Sequence, residues 1–236
     1  MERKNWYWLL VKERIFLFLT NNHSQISNTF KQMAYKNFSL EKLQDEFGIV
    51  TLRQNLAELH GGSLLEPSAW LSETLTIMRS LPNRSEKAKS ESFIAPILAE
   101  IKRHNDDFLT IHSGDFLNAD PKHGLNGECD FILGKETHSL TVDAPLFTVV
   151  EAKRQDFDSG IAQCAAQLLG VKNFNEKRGI ILPAIYGVIT SADVWKFIKL
   201  ENSILYVEDE VYRIQDLTLL LGILQSIVDF YKRILL

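Results

Sequence analysis

The chain has 236 residues, 45% hydrophobic and 24% charged, enough to bury one substantial core with helical additions. Its two cysteines, Cys129 and Cys164, have no Cys or His at zinc-ligand spacing, and its six histidines form no H-x-x-x-H or H-x-H pair. No G-x-x-x-x-G-K-[ST] loop is present either, so zinc, thiol-nucleophile and phosphate-loop NTPase chemistries lack support, and both thiols are expected reduced and packed as small hydrophobes. A net charge of −4 excludes a uniformly basic nucleic-acid binder, although Arg79 to Arg103 carries six Lys or Arg against three Glu, an excess that a solvated charge run also explains.

At the N-terminus, Trp6 to Leu19 is apolar but broken by Lys12-Glu13-Arg14, too short and charged to span a bilayer, and no small-residue cleavage site follows it. With the polar stretch Thr20 to Gln32, residues 1–32 are expected to be a poorly ordered extension or an artefact of start-site choice, Met33 being the alternative start. Residues 33–84 read as short helices packed on the core, among them Phe38 to Gly48 and Trp70 to Leu75, with a loop at Gly61-Gly62-Ser63.

From Ser85, a plausible N-cap, to Ile101 the apolar residues fall at helical spacing, with Ile94, Ile97, Leu98 and Ile101 inward. Glu91 edges that face, and Pro96 removes one helical hydrogen bond and can bend the helix. Gly124 to Gly134 reads as a short glycine-bounded strand interrupted by Asp130. Leu146 to Lys153 is an apolar strand ending in Glu151 and Lys153, which alternation places on one face about 7 Å apart. Asp158 to Val171 is a helix of small residues in which Gln163 and Gln167, four apart, share a face; they can position the lysine, touch a phosphate or face solvent. Ile180 to Thr190 reads as a buried strand, Trp195 to Leu200 and Ile204 to Val207 as a closing hairpin, and Leu217 to Leu236 as a helix apolar on most faces. Such a helix is buried either on its own core or across a dimer interface, so a homodimer through it is one expectation.

Acid-x-Lys alone carries little, since it recurs at Glu2-Arg3-Lys4, Glu100-Ile101-Lys102 and Asp120-Pro121-Lys122, but only Glu151 closes a strand. A carboxylate within an apolar strand is costly to bury unless it is paired or metal-bound, which sets Asp130 looking for a partner. Glu151 on a neighbouring strand, about 4.8 Å away, can share one divalent cation with it. Taken singly, Asp130 reads as a strand-end residue facing water, Glu91 as an exposed helix glutamate and Glu151-x-Lys153 as a solvated ion pair.

The element order helix, strand, strand, strand, helix, strand, with Glu91, Asp130, Glu151 and Lys153 at corresponding points, resembles the PD-(D/E)XK nuclease superfamily over about residues 85–213. Closer still, Ser90-Glu91 before Ile94-Ala95-Pro96-Ile97-Leu98, Gly127-x-x-Asp130-Phe131-Ile132, Val149-Val150-Glu151-Ala152-Lys153 and Tyr186-Gly187-Val188-Ile189-Thr190 before Trp195-Lys196-Phe197 look like an uncharacterised cyanobacterial group. They are similar too to the nuclease domain of type I restriction subunits. The resemblance implies an α/β restriction-endonuclease-like αβββαβ core, a mixed central sheet flanked by helices; outside its range, the helical segment at 33–84 is expected to pack on that core and the helix at 214–236 to belong to the same domain. It implies Mg2+ or Mn2+ on Asp130, Glu151 and the Ala152 carbonyl, with Lys153 catalytic, Glu91 beside the metal and Gln163 following the lysine. Cys129 stands where the superfamily carries proline, and Gln167 where some branches carry tyrosine. The expected activity is metal-dependent phosphodiester hydrolysis in DNA by a cytoplasmic protein without a membrane partner; the alternative is a catalytically inactive nuclease-like fold that binds DNA or a protein.

Overall fold

A computed structural model describes residues 34–56, 59, 64–153 and 157–236. The expectations for residues 1–32 and for the Gly61-Gly62-Ser63 loop lie outside the described residues.

Serines start the N-terminal helices. Ser39 accepts the Lys42 amide ahead of α1 (Leu40–Phe47), which Gly48 ends at φ 67°, a conformation that costs glycine little. Strand β1 (Val50–Arg53) follows, then α2 (Ala69–Arg79), capped by Ser68. Ser85 caps the next helix as its sequence suggested, accepting from the Ala88 amide at 3.0 Å. That helix, α3, runs through Glu86–Lys89, a π turn at Ser90–Ile94, and Ala95–His104. The π turn precedes Pro96, whose ring would clash with a carbonyl one α turn back; the Ala95 amide reaches instead to the Ser90 carbonyl, so the proline widens the helix where a bend was expected.

Strands β2 (Leu109–Asp120), β3 (Leu125–Lys135) and β4 (Leu146–Ala152) form an antiparallel meander. Helix α4 (Phe157–Glu176) crosses over to β5 (Ile185–Thr190), which pairs with β4 in parallel. This strand is shorter than Ile180 to Thr190 suggested, because Pro183 has no amide for a ladder and Ile181 is exposed. Strands β6 (Val194–Glu201) and β7 (Ile204–Val207) close as the expected hairpin; β8 (Tyr212–Arg213) adds to β6, and α5 (Leu217–Leu235) ends the chain.

The eight strands make one mixed sheet, in order β1-β7-β6-β5-β4-β3-β2 with β8 on β6. The segment at 33–84 is corrected here: it contributes a strand as well as helices, since β1 pairs in parallel with β7 at the edge. The sequence there, Ile49-Val50-Thr51-Leu52, is a short strand-forming run, and the exposure of Val50 and Leu52 fits its place at the edge of the sheet.

Each face of the sheet has its own core. On one, Cys164, Ala165 and Leu168 of α4 meet Val149, Ile189 and Ile198; on the other, Ile97, Leu98 and Ile101 of α3 and Leu220, Leu224, Ile227 and Tyr231 of α5 meet Phe147, Val150 and Val188. Burying such side chains contributes about 1.5–3 kcal/mol each before the cost of ordering them. Ile214–Leu235 is long and apolar enough to cross a membrane by length and composition, yet half of it is buried inside the protein. Tyr231 anchors it, donating to the Ala184 carbonyl at 2.9 Å and stacking on Phe147 with ring centroids 4.3 Å apart. Of the two destinations open to that helix, its apolar face takes its own core; Leu219, Ile234 and Leu236 are what it leaves exposed.

Candidate functional site

All seven residues of β4 are buried, and the strand delivers Glu151 and then Lys153 to the carboxyl edge of the sheet. Phe131 faces Val150 in the antiparallel ladder, so one step on the register sets Asp130 opposite Glu151, where cross-strand Cβ atoms stand about 5 Å apart. Asp130 Oδ2 accepts the Ala152 amide at 2.7 Å, a side chain standing in for a ladder bond at the strand end.

Glu151, 3% exposed, is held on both oxygens. Oε1 meets Lys153 Nζ at 2.9 Å and Gln163 Nε2 at 2.5 Å, and Oε2 accepts from Gln167 Nε2 at 2.7 Å. Lys153 Nζ also donates to Gln163 Oε1 at 2.9 Å, so one carboxamide joins the carboxylate to the ammonium. Both glutamines come from α4, one turn apart, and neither takes the solvent-exposed alternative: Gln167 is fully buried and Gln163 half-buried.

Two close approaches bring α4 this near. A Cβ on Gly187 would lie 2.8 Å from Cys164 Sγ, and one on Gly160 would lie 2.8 Å from Ile189 Cγ2 and 2.9 Å from Lys153 Cγ. Without a side chain at Gly160, the first turn of α4 presses on the stem of Lys153. The Lys153 backbone is fixed from the other side, its amide donating to the Thr190 carbonyl at 2.7 Å.

Burial raises the Glu151 pKa to about 7, and the Asp130 charge adds to the shift; Lys153 and the Gln167 hydrogen bond pull the other way. Asp130 is also raised, first by burial, with the charges of Glu86 and Glu128 adding, against the Ala152 amide and Lys153. The same carboxylates, after burial itself, push the Cys129 thiol up; both cysteines are free and buried, as their surroundings in the sequence implied.

The pair opens into a cleft of about 600 Å3 lined also by Lys36, Glu86, Lys87, Ser90, Glu128 and Gln163. Glu91 lines it from the π turn, but its carboxylate lies 3.8 Å from Lys87, is two-thirds exposed and takes no part in the hydrogen bonds around Glu151. The structure thus gathers Asp130, Glu151, Ala152, Lys153 and Gln163 closely and sets Glu91 on the rim.

Three contributors escaped sequence reasoning. Lys36 arrives from a 3-10 turn over ninety residues before Asp130 and carries no local signal. Glu86 and Glu128 read as surface charges, and only folding shows their effect on Asp130. Gln167 did carry a signal, its spacing of four from Gln163.

Among the described residues no group of three or more His, Cys, Asp and Glu is placed to hold a metal. The donor set suits magnesium nonetheless, because that ion binds through one or two carboxylates and keeps several waters. Two adjacent carboxylates that burial raises, Glu151 further raised by the Asp130 charge, are an arrangement a divalent cation would relieve. No family model matches the chain, and no curated protein matches it.

Proposed function

We propose that this protein is a metal-dependent nuclease with a restriction-endonuclease-like fold, a PD-(D/E)XK enzyme hydrolysing phosphodiester bonds in DNA. The observation that carries the reading is the opposition of Asp130, midway along β3, and Glu151, at the end of β4, with Lys153 Nζ 2.9 Å from Glu151. The order α3, β2, β3, β4, α4, β5, with β5 parallel to β4, supports the fold assignment. Two reduced, buried cysteines support a cytoplasmic setting.

Asp130, Glu151 and the Ala152 carbonyl would hold one Mg2+ or Mn2+, which when bound supplies a more acidic water and neutralises charge on the phosphoryl oxygens. Lys153 Nζ then turns from Glu151 toward the attacking water and the non-bridging oxygen, stabilising the charge that develops there. Gln163 keeps the lysine and the carboxylate at a fixed separation through its two carboxamide atoms. Glu91, at the cleft rim, would accept a hydrogen bond from a water held there.

The second reading, a non-catalytic module that binds DNA or a protein, has one observation in its favour: both Glu151 oxygens are already taken. Calorimetric titration with Mg2+ and Mn2+ separates the two. Saturable binding that Asp130→Ala and Glu151→Ala each abolish, with plasmid cleavage lost in Lys153→Ala, is the expected result. Binding indifferent to both carboxylates, or cleavage undiminished in Lys153→Ala, refutes the nuclease reading.

A further inference from the structure

A second cavity, of about 310 Å3, opens beside the first turn of α4 and is lined by Arg53, Phe157, Asp158, Lys196, Asp209 and Val211, among others. It belongs to the same edge of the sheet as the carboxylate pair. Glu151 faces Ile189 on β5, and Ile189 faces Lys196 on β6, so Lys196 stands two strand spacings away, about 10 Å. Arg53 ends β1, two strands further on, beside Val207.

Four charged groups share this cavity, and none forms an ion pair among the described residues. Lys196 Nζ reaches only the Asp209 backbone carbonyl, at 3.5 Å, while Arg53 is exposed and without a hydrogen bond. The Glu208, Asp209 and Asp158 carboxylates lie near enough for their charges to favour the Lys196 ammonium, while the Arg53 charge opposes it, but among the described residues neither cavity carboxylate stands at ion-pair distance from either cation, which leaves their N–H groups open to an anion. The apolar walls from Phe157 and Val211 suit a base face, and the Asp158 and Asp209 carboxylates suit the amino group on a base edge. Phosphate, planar apolar surface and exocyclic amine occur together in a nucleotide.

We infer that this cavity is a nucleotide subsite, taking a phosphate on Arg53 and Lys196 and its base against Phe157, in the strand being cut. It rests on the nuclease reading and adds to it a substrate contact two strand spacings from the site, about 10 Å along the same edge of the sheet. A strand running along the carboxyl edge of the sheet fills both cavities at once.

The test compares Arg53→Ala/Lys196→Gln with its parent, using a labelled single-stranded DNA of about 16 nucleotides and a dinucleotide, too short to fill both cavities. Binding is read by fluorescence anisotropy with Mg2+ in the uncleaving Lys153→Ala background, and cleavage in the otherwise unaltered chain. Circular dichroism establishes that the double variant is folded. The long strand should bind at least tenfold more weakly to the double variant, with the slope of log K against log salt lower by about 0.7, one phosphate contact being lost. Its kcat/KM should fall in proportion while that of the short strand is unchanged. Equal binding and cleavage of both strands overturns the subsite and leaves the nuclease standing. If the parent neither binds nor cuts the long strand, the nuclease reading fails and the subsite falls with it. Displacement of the long strand by dCMP at the strand's own Kd would mark a free-nucleotide site and likewise overturn the inference.

Discussion

Glu151 gives the candidate site a signature that needs no substrate. Its carboxyl titrates at about 7 in the fold against an ordinary 4.5. At about 1.36 kcal/mol per pH unit, ionising it costs the metal-free fold about 3 kcal/mol. The sign follows from proton binding: between 4.5 and about 7 the folded chain holds a proton that the unfolded chain has released, so stability falls as pH rises through that window. Below 4.5 both states are protonated and above about 7 both are ionised, and the contribution is flat. Glu151→Gln removes the titration while keeping the shape; Gln167 Oε1, buried and unpartnered, lets that amide turn over to accept from the new carboxamide. Urea unfolding followed by far-UV circular dichroism at pH 5 and pH 8, with EDTA, measures the difference. The parent should lose about 2.5 kcal/mol more than Glu151→Gln between the two pH values, since pH 5 already lies inside the window, and saturating Mg2+ should recover about 2.7 kcal/mol at a hundredfold excess over Kd. Parallel stability curves for the two proteins would refute the account of Glu151 as a carboxylate ionised at a cost.

Gly160→Ala should destabilise the protein by about 1–3 kcal/mol and displace Lys153, because the added methyl meets Ile189 and the lysine stem under 3 Å; unfolding curves alongside cleavage assays check this, and unchanged values in both would contradict the close approach. Gln167→Leu removes a hydrogen bond that favours ionised Glu151, so the Glu151 titration should move above about 7; carboxyl-selective NMR reads it, and a downward move would disprove the role. Buried Glu100 accepts from both the backbone amide and the hydroxyl of Ser68, each at 2.9 Å, so Glu100→Ala should cost about 1–3 kcal/mol in thermal or urea unfolding, and a neutral result would show that water replaces it. Light scattering at micromolar concentration tests dimerisation through α5: with its apolar face spent on its own sheet, a mass near 27.0 kDa is expected, and a doubled mass that Ile234→Lys halves would show that the exposed remainder suffices.

What was legible in the sequence follows the physics of burial. Strand β4 announced itself because a strand covered on both faces is a continuous apolar run, and the residues ending that run are the site. The helix at Ser85 was legible from its cap, but the π turn at Ser90–Ile94 was not, since Pro96 signals only that an ordinary turn is disfavoured. Strand β2 was counted in the element order without a residue range, because its polar centre, Ile111-His112-Ser113-Gly114-Asp115, has no periodicity to locate it. The hold of Gln167 on Glu151 depends on how far α4 settles onto the sheet, which Gly160 and Gly187 permit but spacing alone does not reveal.

The burial of β4 also bears on how the molecule comes apart. Backbone amides in a strand covered on both faces and paired on both sides exchange with solvent only when the whole domain opens, whereas edge segments such as β1 exchange by local fraying. Glu151 and Lys153 are tethered to the slowest-exchanging part of the chain, and Asp130 is hydrogen-bonded to it. On heating, the arrangement of Asp130, Glu151 and Lys153 should therefore outlast the periphery and disappear only with the cooperative transition itself.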